Sequence, residues 1–516
     1  MRPSRSGLDP SIGRDVPWLL QSWADRKPDH PFLVWEPFDS QEARSWSYRQ
    51  FRIDVARVAS GLRAHGIRAG ERIIVHMENC PEFLLTYFAC AEIGAVAVCT
   101  NTKSSVAELA YFGEHASVVA AVTQAELLAD LERAIPQARW IASTPGGEKG
   151  SAMPFGELLR FDPAPPRETL DRMTPLSIQY TSGTTARPKA VLWTHANALF
   201  GAKASAQHES LTGEDIHLVH LPLFHTNAQM YSILASLWVG ATAVLQPRFS
   251  ASRFWDVAVR HRCTWSSVVP FCVKALAKQG EAPRHNFRLW GNGVSCPAED
   301  RIFGVRTIGW FGMTETVSHC TVDDPDHPGR PYGMGRPATE YGVRLVDGDG
   351  KPVGLEEVGN LEVFGTPGVS LFAGYLDDPG ATEASYTEDG WFMTGDLARL
   401  HPDGHLSFVG RSKDMLKVGG ENVAAAEVEA VIAAVAGVSE AAVVARADQM
   451  LHEVPVAFVI AAHPSTGLAD AIISCCRDQL ASFKVPREVR FVEEFPRSTL
   501  NKVAKAKLRS LLSDAP

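Results

Sequence analysis

Residues 180–191 read YTSGTTARPKAV, a run of hydroxyl side chains and one glycine that closes on Pro188 and Lys189. Backbone N–H groups and hydroxyls in such a turn can surround phosphate oxygens, and a lysine at its end adds a point charge. The stretch is not a Walker loop: Lys189 follows Pro188 and precedes Ala190, where that motif needs Gly-Lys-Ser/Thr. An ordinary polar loop has the same composition. Thr181, Ser182, Gly183, Thr184, Thr185 and Lys189 are therefore phosphate-binding candidates that other segments must support. Four segments further along do so. GWFGMTET (309–316) sets Glu315 behind a Gly-Met-Thr turn, and WFMTGD (391–396) ends in Asp396. FVGRSKDMLKVGGENV (408–423) carries Arg411, Lys413, Lys417, Gly419 and Gly420, and PRSTLNK (496–502) ends in Lys502. Each alone reads as a solvated turn; in this order they form a specific signature.

The elements that must position these residues alternate between strand and helix. Ser47 and Gln50 form a capping-box pattern, after which Phe51, Val55, Val58 and Leu62 recur at helical spacing until Gly66. ERIIVHM (71–77) reads as a buried strand, a helix runs from Pro81 to Gly94, and AVAVC follows as a strand. This is the unit of a parallel sheet with helical cover. It continues through VVAAVT (118–123), LSIQYT (176–181), a helix after Thr194 and ATAVLQ (241–246). From about residue 340 the texture changes to short strands with Gly and Asp turns, which predicts antiparallel structure. The last hundred residues show a helix, a strand pair, a second helix near 468–481 and a basic tail, a small α+β domain.

Bulk properties narrow the function classes. At 516 residues the chain is too long for one core, and 45% hydrophobic against 21% charged residues is globular composition. A net charge of −9 argues against a nucleic-acid binder. No apolar run reaches membrane-spanning length, and the N-terminus lacks the apolar core of a signal peptide. Nine cysteines, none in a Cys-x-x-Cys pair, fit a reduced, cytoplasmic setting. His217, His220 and His225 in HLVHLPLFHTN match no zinc spacing.

The signature resembles that of the adenylate-forming enzymes, the superfamily of acyl-CoA synthetases, luciferases and peptide-synthetase adenylation domains, over roughly residues 15 to 512. Within it the chain looks most like bacterial acyl-CoA ligases, and IIVHMENCPEFLLTYFACAEIGAVAV is similar to the ligases of carnitine and crotonobetaine. The resemblance implies an α/β fold: a large N-terminal domain (1–412) of αβ-layered sheets plus a small β-barrel-like subdomain, and a small mobile α+β lid domain (413–516) hinged at Lys413. It implies an ATP- and Mg²⁺-dependent acid–thiol ligase that makes an acyl-adenylate and passes the acyl group to coenzyme A. Residues 181–185 and Lys189 match the loop for the β- and γ-phosphates, Glu315 the Mg²⁺ ligand, and Thr314 its neighbour at the α-phosphate. Asp396 and Arg411 match ribose and phosphate contacts, and Lys502 the lysine that reaches the reacting carboxylate. Lys417, Gly419 and Gly420 match the face presented to pantetheine, and His225 the aromatic residue beside the acyl and thiol channel. Asn227, Tyr231, Trp290, Gly291, Gly293, Trp310 and Phe311 are the expected pocket walls, for either a bulky hydrophobic acid or a quaternary-ammonium acid on an aromatic wall.

Four positions depart from the pattern. Ala186 and Ala190 replace glycines of the phosphate loop, Ala425 stands where proline is common, and Asn501 replaces glycine before Lys502. Alanine does not reach positive φ without strain, so ATP binding is the property these changes question. A ligase that only thioesterifies a supplied acyl-adenylate is one alternative, acyl transfer to a carrier-protein thiol a second, and a silent nucleotide-binding relative a third. The resemblance also leaves room for a homodimer.

Overall fold

The computed structural model describes residues 12–38, 43–146, 152–165, 169–181, 188–411, 414–418, 421–448, 450–480, 482–497 and 503–513. Ser182, Gly183, Thr184, Thr185, Ala186, Lys413, Gly419, Gly420, Asn501 and Lys502 lie outside the described residues. The chain divides into two compact units: the described residues up to 342 with 363–392, and 343–362 with those from 393 onward.

The first unit carries two sheets with helical cover. In one, Val118–Thr123, Arg72–His76, Val96–Cys99 and Pro175–Thr181 run parallel, and Lys189–Thr194 returns antiparallel to the last of them. In the other, Pro31–Trp35, Thr242–Leu245, Ile216–Val219, Trp265–Ser267, Leu289–Asn292 and Arg306–Gly312 are parallel neighbours. The sequence pattern forecasts this strand–helix alternation, and local chemistry explains the helix ends. Ser47 and Gln50 close the expected capping box on Tyr48–Ala64, and Thr194 with Asn197 does the same for His195–His208. Gly94 ends Pro81–Ile93 at φ 74°, a left-handed turn that suits glycine.

In the second unit the short strands after residue 340 form a four-stranded sheet, Gly342–Val346, Val358–Phe364, Phe392–Leu400 and Leu406–Arg411. A further sheet joins Glu421–Ala424, Met415–Val418, His452–Ala461, Val438–Asp448 and Glu488–Phe491. Its two central strands alternate faces. Val443, Ala457 and Val459 pack with Val428, Ile432 and Ile472, while Val444, Val456 and Phe458 pack with Phe495 and Leu508. Ala425, the departure from proline, is the first residue of the helix Ala425–Ala433, a position where alanine is also a good helix former. Among the described residues no helix is long and apolar enough to cross a membrane.

Candidate active site

Thr181 and Lys189 face each other across the hairpin of Pro175–Thr181 and Lys189–Thr194, with the Thr181 hydroxyl donating to the Lys189 carbonyl at 3.5 Å. Ala190 pairs with Tyr180 inside this ladder and is not among the positive-φ residues. Alanine at 190 therefore carries no backbone strain.

Lys189 Nζ lies 4.3 Å from the centroid of the Tyr375 ring, and the Tyr375 hydroxyl donates to Glu315 Oε1 at 3.1 Å. One phenol thus touches an ammonium through its face and a carboxylate through its edge. Burial pushes the Tyr375 phenol upward, with Glu315 adding to the shift, so it remains a donor at any working pH. Tyr375 stands there because Gly374–Tyr375 pairs antiparallel with Lys189–Thr194.

The turn bearing Glu315 is held from several sides. Trp193 Nε1 donates to the Thr314 carbonyl at 2.9 Å and the Phe372 N–H to the Glu315 carbonyl at 2.8 Å. The Thr226 hydroxyl donates to Gln179 Oε1 at 3.0 Å and lies 3.1 Å from the Thr314 hydroxyl, which donates to it. Tyr341 donates its hydroxyl to the Thr316 carbonyl at 2.6 Å. Directly after Thr316, Val317 sits at φ 66°, ψ −49°, a conformation unfavourable for a β-branched residue. Such strain persists where surrounding contacts over-determine it and clusters at functional sites.

An aromatic stack adjoins this turn. The strand Arg306–Gly312 pairs antiparallel with His319–Val322, and the Trp310 indole lies parallel to the His319 ring at 4.1 Å. Tyr231 contacts the same imidazole at 4.0 Å and Trp310 at 5.8 Å. Tyr231 comes from the π-helix Asn227–Leu234, a rare form that often marks functional sites. His225 is half-buried just before that helix, edge-on to Phe224 at 4.7 Å, and Asn227 begins it. Phe311 is half-buried on the strand face opposite Trp310.

Two pocket expectations change. Trp290 is fully buried and packs on Phe254, Trp255, Phe287 and Phe303 at 5.3 to 5.6 Å between ring centroids, so it belongs to the core and not to a pocket wall. Gly291 points to the other face, as strand alternation requires, but makes room for Trp310: a Cβ built there would meet the indole at 1.6 Å. Gly293 has open space beside it.

In the second unit Asp396 is 2% exposed and pairs with Arg411, Nε to Oδ1 3.0 Å, across adjacent antiparallel strands. Lys417 lies on Met415–Val418 opposite Asn422. Tyr375 and His319 are not among the candidates the sequence suggests, and no local motif surrounds either. The unused histidines His217 and His220 are fully buried, and burial pushes both down to about 3.

Comparison with known proteins bears on this geometry. The chain matches the AMP-binding enzyme family over residues 20–376 and the AMP-binding enzyme C-terminal domain over 427–502. It is 32% identical to a crotonobetaine/carnitine–CoA ligase of Proteus mirabilis, covering 96% of this chain and 99% of that one. An anthranilate CoA ligase solved with anthranoyl-AMP superposes at a TM-score of 0.87, with 25% identity over 97% of this chain and 98% of that one. The o-succinylbenzoate coenzyme A synthetase of Bacillus subtilis, solved with ATP and a magnesium ion, superposes at 0.82, with 28% identity over 96% and 99%.

Replacing Gly291 by alanine should displace the Trp310 indole, lowering stability by about 1–3 kcal/mol and altering the near-ultraviolet circular dichroism. A superimposable spectrum and an unchanged melting temperature would show that the indole does not occupy that space.

Proposed function

We propose a residue-by-residue course for the ATP-dependent acid–CoA ligation carried out by this chain, which belongs to the AMP-binding enzyme family. The observation that carries it is the linked trio in the first unit, Lys189, Tyr375 and Glu315. In the first half-reaction the acid's carboxylate attacks the α-phosphorus of ATP, giving a mixed anhydride with AMP and releasing pyrophosphate. In the second, the CoA thiol attacks the acyl carbon, the thioester forms and AMP leaves.

Lys189 and the hydroxyls from Thr181 to Thr185 bind the β- and γ-phosphates, and the Thr314 hydroxyl contacts the α-phosphate. The Tyr375 ring holds the Lys189 ammonium without neutralising it, so its charge stays available to an anion. Glu315 and Thr314 offer hard oxygen donors, and among the described residues no group of three or more His, Cys, Asp or Glu side chains could hold a metal ion. One carboxylate completed by substrate phosphates is a set that suits magnesium. Magnesium, when bound through Glu315, supplies Lewis-acid neutralisation of phosphoryl charge. The Tyr375 hydrogen bond on Oε1 fixes the carboxylate so that its orientation is set in advance.

Asp396 accepts the ribose hydroxyls, and its ion pair with Arg411 holds it in place. Lys502 provides the ammonium that offsets repulsion between two anions meeting in adenylation, a type of donor whose removal costs roughly 10²–10³ in rate. Rotation at Lys413, on the domain boundary we place between 412 and 413, separates the two half-reactions, and Gly419 and Gly420 admit the pantetheine in the second. His225 lines the acyl and thiol channel. The acceptor is CoA and not a carrier-protein thiol, and the site of action is the cytoplasm, where nine cysteines outside any disulfide persist.

Lys502→Ala should depress ATP–pyrophosphate exchange with a cognate acid by roughly 10²–10³ while leaving CoA transfer from synthetic acyl-AMP within about threefold. Equal losses in both assays would contradict the separation of roles, and wild-type protein that released no AMP with any acid would refute the ligase reading. Tyr375→Phe should raise the Mg²⁺ concentration for half-maximal exchange by about tenfold, the scale of a lost metal-orienting hydrogen bond. An unchanged Mg²⁺ dependence would detach Tyr375 from the metal ligand.

A further inference from the structure

A chain of side-chain hydrogen bonds leads inward from the Glu315 turn. It starts at the half-buried Thr314, whose hydroxyl donates to the Thr226 hydroxyl over 3.1 Å. Thr226 donates to Gln179 Oε1 at 3.0 Å, Gln179 Nε2 to Gln229 Oε1 at 2.9 Å, and Gln229 Nε2 to Cys99 Sγ at 3.2 Å. Elements far apart in sequence supply its members. Cys99 and Gln179 are register partners on the neighbouring parallel strands Val96–Cys99 and Pro175–Thr181, so their side chains leave the first sheet on one face. Thr226 is the N-cap of the π-helix Asn227–Leu234, and Gln229 lies within that helix.

Thr226, Gln179, Gln229 and Cys99 are all buried. Each amide gives one hydrogen bond and accepts another, and burial pushes the Cys99 thiol up to about 12, so the chain ends on a neutral group. Apolar side chains of the same shape would fill this space with little change in stability, because exchanging both partners of a buried hydrogen bond for apolar groups is nearly neutral. What the polar chain adds is orientation. Thr226 has one proton and commits it to Gln179, so Thr314 turns its own proton inward and its lone pairs outward. Every member both donates and accepts, so the chain also closes in the opposite sense. The thiol then donates to Gln229, the two amides turn over, and Thr226 donates to Thr314, whose proton points outward.

We propose that Thr226 and Gln179, backed by Gln229 and Cys99, are positioning residues for the nucleotide's α-phosphate that act through Thr314. The proposal rests on the contact between Thr314 and the α-phosphate assigned above, and it names what holds that hydroxyl. An anionic oxygen at Thr314 accepts a proton and selects the outward sense of the chain, in which each buried link is remade in reverse and none is left unmatched. A network that only supported the fold would treat a nucleotide and its nucleoside alike. A chain that ends on a phosphate contact tells them apart.

The test titrates AMP and adenosine, which differ by the phosphate alone, onto the full-length protein and follows binding by ligand-observed NMR. Thr314→Val should weaken AMP by about tenfold, the scale of a hydrogen bond to a charged group. Thr226→Val should weaken AMP by about fivefold and leave adenosine within about twofold, and Thr226→Ser should bring AMP back to within about twofold of wild type. In the Thr314→Val background, Thr226→Val should change AMP affinity by less than about twofold, as expected of two residues that act through one contact. Equal weakening of AMP and adenosine, additive losses in the double variant, or a serine that binds AMP as poorly as valine overturns the inference. Should Thr226→Val fail to fold, Gln179→Met is read in both backgrounds by the same criteria. AMP binding that falls with Thr314→Val but ignores Thr226→Val removes the inference alone, whereas AMP binding that ignores Thr314→Val removes the phosphate contact assigned to Thr314 and the inference with it.

Discussion

A carboxylate taken out of water must be matched by donors or by charge, and Glu315, only 5% exposed, imposes that demand on everything around it. The Tyr375 phenol answers one oxygen, and the backbone of Phe372 ties the same short segment to the turn from which Glu315 projects. Tyr375 can do this only because Gly374–Tyr375 is laid against the strand that starts at Lys189. The strand starting at Lys189 and the carboxylate are therefore fixed by a single β-pairing, and Lys189 comes to rest over the same ring. Moving any one of these groups would leave another exposed to a desolvation penalty, which makes the cluster a unit rather than a set of independent contacts.

The parts of this arrangement legible in the sequence are those with a local cause. Strands such as 72–76 and 175–181 announce themselves by apolar runs, Ser47 and Thr194 by their caps, and Glu315 by the turn it follows. Tyr375 has no such cause. It lies 60 residues from its partner Glu315, and nothing in FAGYL distinguishes its phenol from one packed in a core. His319 is hidden for the same reason, being a single residue whose surroundings are assembled by distant strands and helices. Trp290 shows the opposite failure: LWGNG reads as one wall, whereas a strand sends neighbouring side chains to opposite faces, so the indole and Gly291 cannot share a surface.

Gly291 also corrects a common inference about glycine near a ligand site. Absence of a side chain suggests space for a substrate, but the space beside this residue is filled by Trp310 from the next strand. The glycine serves the tryptophan's placement. Because that indole then stacks on His319, which Tyr231 also contacts, these rings hold one another in place. A stack of this kind is rigid, because no ring can shift without opening a gap beside another.

The same layer explains why scaffold and specificity can separate in this molecule. The Lys189 hairpin and the Glu315 turn are fixed by strand pairing and backbone hydrogen bonds, which do not depend on the side chains lining the rest of the first unit. Some unpartnered polar atoms lie elsewhere, on the sheet face that carries His217, Trp265 and Ser267. Polar groups left unmatched in a protein interior lower stability unless something that arrives later completes them. The apolar contacts that surround this face must offset that cost within the first unit itself.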